Sequence, residues 1–240
     1  QNVAIGNYAM DAHTSGDENV AVGHLALSAN TTGGNNTAVG SDALLTNTTA
    51  NNNVAVGHLA LKDNTTGAQN TGIGTSALQY NTTASNNTAV GYAALEVNTT
   101  GASNAAVGYR ALDANTTGGQ NVAFGYNAMT AQTTASNNVA VGNQALQTNE
   151  TGTEIVAIGH EAAKANLADN ITAVGYRALL ANTTGSNNIA LGNDSLLANT
   201  TGTRNLAIGV RAYSGSDTEN DNLAIGYQAM ETNTAGGTQC

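Results

Sequence analysis

The side chains best able to do chemistry in this chain are four histidines and a run of tyrosines. His24, His58 and His160 fall at equivalent places in a repeated local sequence, where other copies hold Tyr92, Tyr109, Tyr126, Tyr176 and Tyr227. His13 stands elsewhere in its copy. A metal site needs imidazoles held close together, but His24 and His58 are two copies apart, about 10 Å at ordinary strand spacing. The plainer reading is a half-exposed strand position that favours flat, amphipathic side chains. Tyr92, Tyr109 and Tyr126 occupy three consecutive copies, so their rings should recur about every 4.8 Å. With Arg110 alongside, they form a candidate ligand-facing row on which sugar rings could stack. The same ladder would equally stiffen the protein without binding anything.

A second chemistry is covalent. Asn30, Asn47 and Asn64 each open an Asn-Thr-Thr triplet, which matches the acceptor pattern for N-linked glycan. Thr31, Thr48 and Thr65 offer hydroxyls for O-linked sugar. The competing explanation is that Asn-Thr-Thr is good turn chemistry. No nucleophile elbow, zinc-protease pair, phosphate loop or Cys–His pair is present, and the acids do not recur at the fixed places a calcium-binding solenoid needs. The expectation is a non-enzyme with no cofactor and no metal.

These residues must be positioned by a repeat whose consensus is N-V-A-V-G-x-x-A-L-x-x-N-T-T-G-x-N. Glycine holds the fifth place of every copy, as Gly6, Gly23, Gly40 and Gly57 show, and the interval is 17 residues except between Gly159 and Gly175, where it is 16. A constant short period implies stacked turns of one structure. The fold expected is an all-β parallel β-solenoid of fourteen coils. It forms a single array over 1–240, with units from 2 to 238 and one 16-residue unit at 155–170. Places in the unit are numbered 1 to 17 below.

Places 2 to 4 alternate β-branched residues with Ala and read as a strand. The expectation is that places 2 and 4 fill the coil. Place 3 stays small, as Ala21, Ala38 and Ala55 do, and so should press against a second surface. Gly23, Gly40 and Gly57 should end the strand where the corner needs positive φ or close backbone approach. A second strand is expected over places 6 to 10. Ala at 8 beside Leu at 9 implies either a bend there or Ala inward with Leu outward. Places 12 to 15 read as a turn, and Asn at 1 and 17 should stack coil on coil. The short unit should keep its strands in register.

Composition narrows the function classes. The 240 residues carry a net charge of −10, with 9% charged and 4% aromatic residues and no proline. No basic patch suits nucleic acid, and no apolar run suits membrane insertion. The single cysteine, Cys240, cannot form an intrachain disulfide. Because the array begins and ends inside a copy, the chain is expected to be a segment of a longer fibre.

The strands N-V-A-I-G, N-V-A-V-G and N-L-A-I-G resemble the S-V-A-I-G strand of trimeric autotransporter adhesin heads. The longer unit, as in Asn36 through Thr49, is similar to repeats of bacteriophage tail-fibre and related bacterial surface fibre proteins. The resemblance implies a left-handed β-roll with three chains around one axis, hence a homotrimer. It implies a structural shaft or adhesive head segment, extracellular, on a cell surface or virion fibre, with a host-surface glycan or protein as a partner. The adhesin-head unit is shorter than this one, and the sequence shows no coiled-coil stalk, membrane anchor or fibre-tip chaperone domain, so the route of anchoring and assembly is not carried over. Two other functions stand beside this: a glycan-binding module using the Tyr row, and an ice- or crystal-binding solenoid using the Thr-Thr pairs. Against the last, the pairs lie in a turn, whereas a flat matching face would place Thr on a strand.

Overall fold

The computed structural model describes residues 1–215 and 217–233; Cys240 lies outside them. The chain is an all-β parallel β-solenoid, with no helix among the described residues. It divides into two compact units, residues 1–121 and 122–240. Seven strands lie in the first, from β1 (Val3–Ile5) and β2 (Val20–Val22) to β7 (Ala105–Val107). Seven lie in the second, from β8 (Val122–Phe124) to β14 (Leu223–Ile225). Within each unit every strand pairs with the next, parallel and in register, so that Ala21 lies opposite Ala38 and Ala38 opposite Ala55.

The strand faces are the reverse of those expected. Ala21, Ala38 and Ala55 are fully buried within the single chain, while Val39 and Ile73 at place 4 are 36% and 39% exposed. Place 3 therefore points into the coil, and places 2 and 4 point out. The reason is space. Ala at 8, Leu at 9 and Asn at 1 and 12 are also buried in nearly every coil, and they leave room for a methyl and no more. At Gly72, the one place-3 glycine, a Cβ would sit 3.3 Å from Leu61 Cγ. The alanines are thus spent on their own coil and offer nothing to a second chain.

The second strand expected at places 6 to 10 is absent. Places 7 and 9 are left-handed in every coil, as at Leu59 (φ 62°) and Leu61 (φ 51°). Alternating right- and left-handed residues bend the chain tightly, so Ala60 and Leu61 both turn inward and both are buried. Of the two arrangements left open for places 8 and 9, the bend is the one found. The corner glycine behaves as expected: Gly57 has φ +135°, and a Cβ there would lie 2.6 Å from the Gly74 carbonyl oxygen.

Asparagine builds two internal ladders. At place 1, the Asn53 amide N–H donates to Asn36 Oδ1 at 3.0 Å, and the Asn70 N–H to Asn53 Oδ1 at 2.9 Å. At place 12, side chains bond to one another: Asn47 to Asn30 at 2.9 Å, Asn81 to Asn64 at 2.8 Å and Asn98 to Asn81 at 2.9 Å. The second ladder replaces the one expected at place 17, where Asn35, Asn52 and Asn86 are exposed. Left-handed φ at those residues explains their presence instead.

The short unit keeps register, with Ala157 opposite Ala173. Ile155 and Ile171 replace the place-1 asparagines there. Lacking a side-chain acceptor to divert the next backbone N–H, they join the ladder themselves. The strands β10 (Ile155–Ile158) and β11 (Ile171–Val174) are accordingly four residues long.

Candidate functional site

Places 6 to 11 form the flank that carries the ionisable side chains of the central coils. Place 8 turns inward and place 6 outward, and Tyr92 and Tyr109 at place 6 are 54% and 44% exposed. Their rings stack with centroids 5.4 Å apart and planes 11° from parallel. Tyr126, the third member of the expected row, opens the second unit and is also exposed. The same contact recurs between His160 and Tyr176, at 5.3 Å and 13°. The Arg177 guanidinium lies 5.8 Å from the centroid of the Tyr176 ring.

This geometry limits what the aromatic row can bind. A sugar stacks on a ring face, but the facing surfaces of Tyr92 and Tyr109 are turned to each other. The stack thus removes one face of each ring from any ligand.

Arg110, at place 7, is drawn along the flank: its Nε donates to Asp113 Oδ2 at 2.6 Å. Asp113 and Glu96 both occupy place 10, one coil apart. Burial pushes the Asp113 carboxyl above the usual range, and the Arg110 hydrogen bond opposes this. Burial raises Glu96 as well, helped by the negative charge of Asp113 and opposed by Arg110. Arg110 and Asp113 are paired with each other, while Glu96 meets the pair only through its charge. Of the place-6 histidines, His58 Nε2 lies 4.0 Å from Asp42 Oδ2. No cluster of three or more metal-ligating side chains occurs among the described residues.

The glycan acceptors read from the sequence are inside the protein. Asn30, Asn47 and Asn64 have no exposure, and the Nδ2 groups of Asn47 and Asn64 each donate two hydrogen bonds. The folded chain exposes no side-chain amide at these three residues. Thr31, Thr48 and Thr65 are half-buried, and their hydroxyls donate to the next coil's threonine carbonyl at 3.0, 3.2 and 3.0 Å. The exposed hydroxyls are one residue further on, at Thr32, Thr49 and Thr66. The outward apolar rows at places 2 and 4 were likewise not anticipated.

Comparison with known protein families, with curated proteins and with solved structures finds no match to this chain. No helix of the described residues is long and apolar enough to cross a membrane.

Proposed function

We propose that the chain is a structural shaft segment of an extracellular fibre, built by self-association of identical chains as a homotrimer and without catalysis. The observation that carries this is the outer strand face. Places 2 and 4 present regular rows of Val, Ile, Leu and Thr to solvent, among them Val39, Ile73, Val141 and Ile158 at 36–39% exposure. Each coil already has its own filled interior, so these rows are not needed for the single-chain core. Contiguous apolar surface of this kind marks an association face. The likeness of the strand sequence to fibre repeats supports the same reading.

Sedimentation equilibrium tests it. The wild-type chain should sediment at three times its 24.0 kDa mass. Val39→Glu, Val56→Glu and Ile73→Glu together should disperse it, because they place unpaired charge in a closed apolar interface. The dispersed chain should keep its β circular dichroism. A wild-type monomer at all concentrations removes the reading.

A further inference from the structure

Over residues 19–120, covering six successive coils, the ionisable side chains are segregated. Every Asp, Glu, Lys, Arg, His and Tyr in that stretch falls at places 6 to 11, as Asp42, Lys62 and Glu96 do. Places 12 to 17 and 1 to 5 hold none. The second unit does not share this, since Glu150, Asp169 and Arg204 interrupt the same side. On the cleared side, place 14 carries Thr32, Thr49, Thr66, Thr83, Thr100 and Thr117, all exposed. The hydroxyls of Thr49, Thr66 and Thr83 are engaged by no other group of the described chain.

Although these residues are not in a regular strand, they are held in register as firmly as if they were. The N–H groups of Thr65 and Thr66 both donate to the Thr82 carbonyl, at 2.9 and 3.3 Å. The Thr65 hydroxyl donates to the same oxygen at 3.0 Å. The pattern recurs one coil on, where Thr82 and Thr83 meet the Thr99 carbonyl at 3.2 and 3.4 Å. The place-13 threonine is thus consumed in locking the row, and the place-14 threonine is left free on a fixed spacing of about 4.8 Å. The objection that turn threonines cannot form a matched array does not hold for this turn.

We infer that this uncharged threonine face binds ice. A rigid array that repeats by translation over six coils fits a ligand that also repeats. A discrete soluble ligand would engage one or two coils and give no reason for the rest. A mineral lattice would call for charge, and the face has none. A crystalline polysaccharide would call for aromatic platforms, yet every tyrosine of residues 19–120 lies on the other flank. A neutral lattice of hydrogen-bonding oxygens remains. Threonine suits it, because the hydroxyl can take the place of a lattice oxygen while the methyl keeps the adjoining water ordered. A charged side chain, with its own tightly held hydration, would disrupt the match.

Ice-affinity partitioning and ice recrystallisation assays on the full chain test this. The wild type should be retained in growing ice and should suppress recrystallisation. Thr49→Lys, Thr66→Lys and Thr83→Lys together should abolish both, with circular dichroism and sedimentation unchanged, which separates this face from self-association. Lys62→Gln with Asp63→Asn, on the charged flank, should leave both activities intact. If the lysines disturb folding, the single change Thr66→Tyr adds bulk only at an exposed side chain and must still lower retention. The inference is overturned if wild-type protein is excluded from ice like an inert protein of its size. It is overturned equally if a folded lysine triple is retained as well as wild type, or if crystalline chitin captures the protein and ice does not.

Discussion

Asn64 Nδ2 donates to Asn47 Oδ1 at 3.1 Å and to the Gly67 carbonyl at 2.9 Å, while Asn64 Oδ1 accepts from Asn81 at 2.8 Å. No part of Asn64 is exposed. Asn47, Asn81 and Asn98 do the same, each closing its own turn and joining the coils on either side, with one side chain making three bonds.

Asn64→Ala should destabilise the chain by about 2–4 kcal/mol, since it strands the Asn47 oxygen without a donor and leaves a void. Asn35→Ala, at an exposed residue, should cost clearly less. Urea unfolding of the two variants, compared by midpoint, provides the measurement.

Leu61 is fully buried with φ 51°. An ordinary Leu→Ile exchange in a core costs under about 1.5 kcal/mol. Here Leu61→Ile should cost about 1–3 kcal/mol more, because a β-branched residue resists left-handed backbone. Leu61→Met should be nearly neutral, as Met10, Met129 and Met230 already occupy that place. Thermal melts should separate the two variants.

Gly57→Ala should cost at least about 3 kcal/mol, from strain at φ +135° together with the contact against the Gly74 carbonyl. The readout is the urea midpoint, together with loss of amide-exchange protection confined to the neighbouring coils.

Gly72→Ala should move the other way. Its φ is not positive, and other coils accept Ala beside the same leucine. Reduced freedom of the unfolded chain should add about 0.4–1 kcal/mol. A lower melting temperature would mean that the 3.1–3.4 Å contacts with Ala77 and Leu61 do not relax.

Glu96 has a folded-state pKa raised above its unfolded value, first by burial and then by Asp113. In the window between those two values the native state holds more protons than the unfolded state. Stability therefore falls as pH rises from the ordinary carboxylate range through the raised value. Glu96→Gln should flatten that fall and leave the chain more stable than wild type at pH 7. Melting temperatures taken from pH 3.5 upward should show the two curves diverging.

The period, the corner glycine and the strand at places 2 to 4 are legible in the sequence because each rests on local backbone geometry. Which way the strand faces is not. Val-Ala-Val alternation suggests large residues inside, and only the width left by Leu61 and the buried asparagines decides otherwise. That width depends on residues far along the coil. The missing second strand did leave a trace. Among the described residues places 7, 9 and 17 hold no Val, Ile or Thr, although places 2 and 4 are rich in them. That avoidance is the mark of left-handed φ, and it was open to reading. At the candidate site, the tyrosine row was visible but the mutual stacking of its faces was not. The threonine pair was visible too, but not its division into one bonded and one free hydroxyl.

The coil-to-coil bonds of the first unit nearly all join residues 16 to 18 apart, as Thr46 to Lys62 and Asn47 to Asn30 do. Every added coil thus closes a loop of the same size, for the same entropic cost. The first two coils to pair must do so with no finished surface to fold against, while each later one meets a formed edge. Folding should therefore be nucleation followed by elongation, with a single slow event and then rapid zippering outward from wherever it began. Lengthening such a chain by further coils would raise its stability while barely changing the height of its initial barrier.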